Sequence, residues 1–84
     1  MLPWGSILGA SNSRDHILAK YAELQQRHVG VLTGRDPILI ERKRGPLPRY
    51  QVRVGAQTRD AANDLCRQMH KERGDCVVLR NPSG

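Results

Sequence analysis

The sequence predicts an α+β domain of order β-α-β-β-α-β. Its four-stranded antiparallel sheet has spatial order 4-1-3-2 and carries both helices on one face. The first observation behind this is a near-repeat. Trp4-Gly5-Ser6-Ile7-Leu8-Gly9-Ala10 aligns with Tyr50-Gln51-Val52-Arg53-Val54-Gly55-Ala56 at an offset of 46, and Ser13-Arg14-Asp15 aligns with Thr58-Arg59-Asp60 at 45. The second is that each copy has the same plan: a strand led by an aromatic residue, a glycine, a hydroxyl cap and an apolar stripe at helical spacing. The third is the short turn-rich segment between the copies, which reads as a hairpin, while the two strand–helix units supply right-handed crossovers.

The first strand runs from Trp4 to Leu8, with Trp4, Ser6 and Leu8 on one face and Gly5 and Ile7 on the other. Gly9 to Asn12 reads as a turn, and Ser13 as the N-cap of a helix. That helix has its stripe at Ile17, Leu18, Tyr21 and Leu24 and should end near His28, ahead of Gly30. Val31 and Leu32 then pack back as a short connection closed by Gly34. Pro37 to Arg42 is an edge strand that tolerates its proline. Arg44-Gly45-Pro46-Leu47-Pro48 turns a hairpin into the third strand, Arg49 to Val54. There Tyr50, Val52 and Val54 face the core, while Arg49, Gln51 and Arg53 face away.

Thr58 caps the second helix, whose stripe is Ala62, Leu65, Cys66 and Met69 and whose stop is Gly74. Cys76 to Arg80 is the fourth strand, and a frayed tail follows from Asn81, residues 82–84 lying outside the domain. The domain thus covers residues 4–81, in pseudo-repeats 4–43 and 49–81.

A chain of 84 residues without Phe, with one Trp and two Tyr, has a thin core. It has no run of about 18 apolar residues of the kind that crosses a membrane. The net charge of +6 is spread evenly, with seven Lys/Arg against four Asp/Glu in residues 1–45 and the same in 46–84. A basic surface of this kind suits an anionic partner such as nucleic acid, an anionic glycan or membrane headgroups, or simply keeps the domain soluble. Cys66, His70 and Cys76 are three potential metal ligands without a Cys-x-x-Cys knuckle. Reduced thiols and a disulfide are the other readings of the two cysteines.

The helix-free face of the sheet presents Ile7, Gln51 and Arg53, with Val77 and Leu79 alongside. RNA-recognition modules use such a face but stack bases on aromatic rings from the central strands, and here those positions hold no ring. His16, His28 and His70 have no serine or acid at triad spacing and read as surface or helix-end residues. The carboxylates are scattered, with no pair suited to glycoside hydrolysis.

Trp4…Gly9-Ala10 with Arg14, then Tyr50-Gln51-Val52-Arg53-Val54-Gly55, then Leu65-Cys66 and Gly74-Asp75-Cys76-Val77-Val78 together resemble a SPOR domain. The likeness spans residues 4 to 81, and the Leu-Cys…Gly-x-Cys end is similar to SPOR domains of alphaproteobacteria. It implies a ferredoxin-like fold and noncatalytic binding of peptidoglycan, on septal glycan strands denuded of stem peptides. Such binding would bring the parent protein to the division site. Nucleic-acid binding on the same topology and a protein-interaction role are the rival readings.

Where the family commonly has Gln, this chain has Ile7, and where it has an aromatic two residues after each glycine, this chain has Ser11 and Gln57. The expected glycan contacts are Ile7, Arg49, Gln51, Arg53 and Leu79. The resemblance also places Val78 in the core, so Cys76 points at the helices and is expected to form a disulfide with Cys66. The expectation is a periplasmic monomer with no cofactor and no metal. It should make no membrane contact of its own and bind no nucleic acid, with any targeting or anchoring segment lying elsewhere in a longer parent.

Overall fold

The structure is a computed structural model describing residues 2–43 and 48–81. The turn expected at 44–47 and the tail at 82–84 lie outside the described residues. Strands β1 (Trp4–Ser11), β2 (Pro37–Lys43), β3 (Pro48–Ala56) and β4 (Val77–Arg80) form one sheet in the order β2-β3-β1-β4. Every neighbouring pair is antiparallel. Helices α1 (Arg14–Arg27) and α3 (Arg59–Lys71) cross one face, and a one-turn helix α2 (Val29–Leu32) forms the packed connection after α1. This is the predicted α+β topology, with strands one and three central.

Both long helices start where a hydroxyl can satisfy a free backbone N–H. Ser13 accepts from His16 N at 3.3 Å and Thr58 from Ala61 N at 3.1 Å. The core lies between the helices and the sheet, with Leu8, Val52 and Val54 beneath Ile17, Tyr21, Leu24, Leu65 and Met69. Ser6 is buried in the same layer and donates to Ala62 O at 2.9 Å, tying β1 to α3. The two cysteines are joined by a disulfide between α3 and the start of β4, with Cα atoms 5.1 Å apart.

Four local features depart from the sequence reading. β1 continues through the segment read as a turn, because the β1–β3 register slips between Ile7 and Gly9. The extra residue, Leu8, puts two successive residues on the helix side and lets the strand run on to Ser11. On α1, Leu18 faces outward at 37% exposure and the stripe continues through His28, which is 2% exposed. The spacing 17, 21, 24, 28 follows one helix face more closely than one containing residue 18.

His28 is therefore a core residue, its Nδ1 2.6 Å from Glu72 Oε1 at the end of α3. The end of α3 is also built differently. Arg73 takes the left-handed conformation at φ 63, and Gly74 N donates to Met69 O at 2.8 Å. Gly74 is needed for closeness rather than for its torsion, since a Cβ there would lie 2.8 Å from Met69 Cε and 3.1 Å from His28 Nε2. Finally, Asn81 is not frayed. It is buried and bonded into the sheet, as described next.

Candidate functional site

The pleat and the register decide what the helix-free face offers. β1 contributes Gly5, Ile7 and Ala10; β2 contributes Ile38, Ile40 and Arg42; β3 contributes Arg49, Gln51, Arg53 and Gly55; β4 contributes Val77 and Leu79. None of these positions is Asp or Glu. Arg42 and Arg49 are directly cross-strand partners, a like-charge pairing that a sheet ordinarily disfavours.

The face is divided in two by the ends of the chain. At one end Gly5 and Gly55 lie side by side and leave room above them. A Cβ on Gly55 would lie 3.1 Å from Leu2 Cδ1, so Leu2 lies across the sheet there. A Cβ on Gly5 would strike Asn81 Oδ1 and would lie 3.1 Å from Arg53 Cδ. Asn81 donates from Nδ2 to Leu2 O at 2.9 Å and Trp4 O at 2.8 Å, and its backbone N–H donates to Pro3 O at 2.8 Å.

Arg53 fills the space under this clasp and is 0% exposed. It donates from Nη1 to Asn81 Oδ1 at 3.1 Å and to Arg80 O at 3.5 Å. It also donates from Nε and Nη2 to Gln51 Oε1, at 3.3 and 2.7 Å. All its acceptors are neutral. Burial, and then the charge of Arg42, push its pKa down from the ordinary arginine value, yet a guanidinium remains charged in a protein. A cation is therefore enclosed beneath the sheet surface with no carboxylate among the described residues bonded to it.

The other end of the face is open. Arg49 is exposed and Ile7, Ala10 and Gln51 are half-buried there, with Val77 58% exposed at the margin. Because β4 pairs with β1 only from Trp4 to Ile7, the β4-side edge of β1 beyond that point has no neighbour strand among the described residues. A groove of about 300 Å³ follows this edge, lined by Ile7, Leu8, Gly9, Ala10, Arg49, Val77, Cys76 and, from α1, Lys20, with one acid, Asp75, at its β4 side.

Of the five predicted contact residues, Ile7, Arg49 and Gln51 meet in the open half, and Leu79 stands beside Gly5 at the margin of the clasped half. Arg53 shares their face but exposes no surface to a ligand. Lys20 and Arg42 were not anticipated. Lys20 reaches the groove from a helix, and Arg42 reaches the face through the β2–β3 register, which periodicity alone does not fix. The disulfide leaves Cys66 and Cys76 no thiolate to offer a metal, and His70 Nε2 lies 3.0 Å from Cys76 O. Trp4 is on the helix side, with the guanidinium carbons of Arg59 and Arg80 at 5.8 and 5.6 Å from its ring centroid.

A sheet with helices on one face and a cationic, ring-free platform on the other defines a binding module. The chain belongs to the SPOR domain family, whose model matches residues 4–80. A solved structure similar in fold is the solution structure of the peptidoglycan binding domain of the B. subtilis cell wall lytic enzyme CwlC, at 21% identity and TM-score 0.60, covering 94% of this chain and 89% of that one. No curated protein sequence matches the chain.

Proposed function

We propose that this domain binds peptidoglycan without catalysis of its own. Its target would be septal glycan strands that amidases have stripped of stem peptides, and the parent protein would gather there at division. The observation that carries this is the open half of the sheet, where Arg42, Arg49 and the donor end of Gln51 stand among apolar groups, no strand position of the face is an acid, and Lys20 and Arg49 outnumber the one groove acid, Asp75. A denuded strand offers what such a face takes. Each muramic acid exposes a lactyl carboxylate for arginine and amide donors, and sugar rings present C–H faces to Ile7, Val77 and Leu79. Membership in the SPOR family and the fold shared with a peptidoglycan binding domain support the reading.

The disulfide suits the oxidising periplasm rather than the cytosol. The absence of any ring among the face positions disfavours single-stranded nucleic acid, which such sheets hold by stacking. The test is co-sedimentation with sacculi before and after amidase digestion. Stronger binding after digestion, lost in Arg49→Ala/Gln51→Ala with the fold intact, is expected. Absent or equal binding to the two preparations, with salt-sensitive binding to single-stranded RNA, would replace this reading with the nucleic-acid one.

A further inference from the structure

We propose that Arg53 is a specificity-determining residue that touches no ligand. By holding the oxygen of Gln51 over a buried positive charge, it makes the open half of the sheet select a carboxylate. The proposal rests on the glycan-binding reading above and deepens it.

The orientation of Gln51 follows from chemistry. A guanidinium carries donors only, so the side-chain atom facing Arg53 must be the Gln51 oxygen. Both Nε and Nη2 converge on it, and the Gln51 NH2 group is left pointing away from the clasp, with no partner among the described residues. A free glutamine presents a donor or an acceptor with equal ease; this one presents two N–H groups. Arg53 is itself fixed on its other side by Asn81, whose Nδ2 is spent on the Leu2 and Trp4 carbonyls and whose oxygen must therefore face the guanidinium. Both amides in this network are thus set by groups that cannot exchange roles.

Electrostatics points the same way. The Arg53 charge is out of water and, among the described residues, bonded only to neutral oxygens, so none of these contacts cancels its field at the surface. Arg42 and Arg49 add to that field from across the β2–β3 pair. An uncharged acceptor such as an acetamido carbonyl would take one N–H of Gln51 and gain little from the charge. A carboxylate takes donors from Gln51 and the attraction of the buried cation together.

The test compares two forms of one polymer: amidase-digested sacculi, and the same material with its carboxyl groups reduced to alcohols. The whole 84-residue chain should bind the carboxylate form about ten-fold more tightly or better, as expected for a charge-assisted hydrogen bond. Arg53→Met keeps the apolar stem and removes the fork. It should lower the ratio several-fold, to what Arg42 and Arg49 alone supply, and the Gln51 side-chain amide resonances should move to the averaged positions of a freely rotating glutamine. A merely structural role would lower stability and free the Gln51 amide while leaving the binding ratio unchanged.

If Arg53→Met fails to fold, Gln51→Glu carries the test. Its carboxylate would pair with Arg53, leaving the domain at least as stable while removing both the donors and the unmatched charge, so the preference should fall to the same residual level set by Arg42 and Arg49. A folded Arg53→Met or Gln51→Glu that keeps the wild-type ratio overturns the proposal. So does a wild-type chain that binds both forms equally, a result that leaves peptidoglycan binding standing. Failure to sediment with either form overturns the functional reading and this inference with it.

Discussion

Reducing the Cys66–Cys76 bond removes a constraint whose size can be worked out from the fold. The bond closes a sequence separation of 10 residues. The chain-entropy relation for a loop of that length gives a stabilisation of about 2.7 kcal/mol at 25 °C. Both cysteines are buried, at 5% and 6% exposure, so two thiols would remain in the same contacts and little packing should be lost. For a chain of this size, that difference lowers Tm by about 15 °C. Melting curves with and without reductant at pH 7 measure it, with the fluorescence of Trp4, held near Arg59 and Arg80, as a second probe. A drop below about 5 °C would refute the reasoning, because the reduced unfolded chain would then already keep the α3–β4 loop closed.

Gly5→Ala should lose about 1–3 kcal/mol in urea titration, because the new methyl group meets Asn81 Oδ1 and the Arg53 stem; an unchanged midpoint would mean that the clasp yields freely. Arg73→Gly should gain about 0.5–1 kcal/mol by relieving a left-handed arginine, and a loss would show that the side chain contributes more than the torsion costs. Burial above all, and then Asp36, raise the Tyr21 pKa, with Arg35 opposing. Tyr21 therefore contributes stability that is complete below the unfolded value of about 10 and disappears as pH rises from there through the native value. Denaturation midpoints at pH 8 and 11 should converge between wild type and Tyr21→Phe; parallel curves would sink this assignment.

The strands and the second helix's stripe could be read from the sequence because each rests on local periodicity, and the strand order followed from the handedness of the two strand–helix crossovers. Tyr50, Val52 and Val54 alternate cleanly, and Ala62, Leu65, Cys66 and Met69 mark one helix face. What escaped depends on contacts between distant segments. Leu18 and His28 exchange expected places because Glu72, 44 residues further on, supplies His28 with a partner that makes its burial tolerable. The Leu8 bulge becomes visible only against β3.

The site shows the same division. Alternation places Ile7, Gln51 and Arg53 on one face, but it says nothing of Asn81 reaching Leu2 and Trp4 across the whole chain. That contact turns Arg53 from an exposed charge into an enclosed one. A cue was present in the paired Gly5 and Gly55, since two adjacent residues without side chains on a sheet face invite something to lie on them.

The Asn81 clasp has a topological consequence. Since Asn81 N reaches Pro3 O at 2.8 Å, the two ends of the domain are already neighbours. A short peptide could join them without disturbing the sheet, and new ends could be opened in the exposed Gly34–Asp36 loop. In such a rewired chain, β1 and β4 would become consecutive in sequence, turning the pairing now closed last along the chain into a local one. The domain is, in this sense, a ring that happens to be cut beside the helix-free face of its sheet.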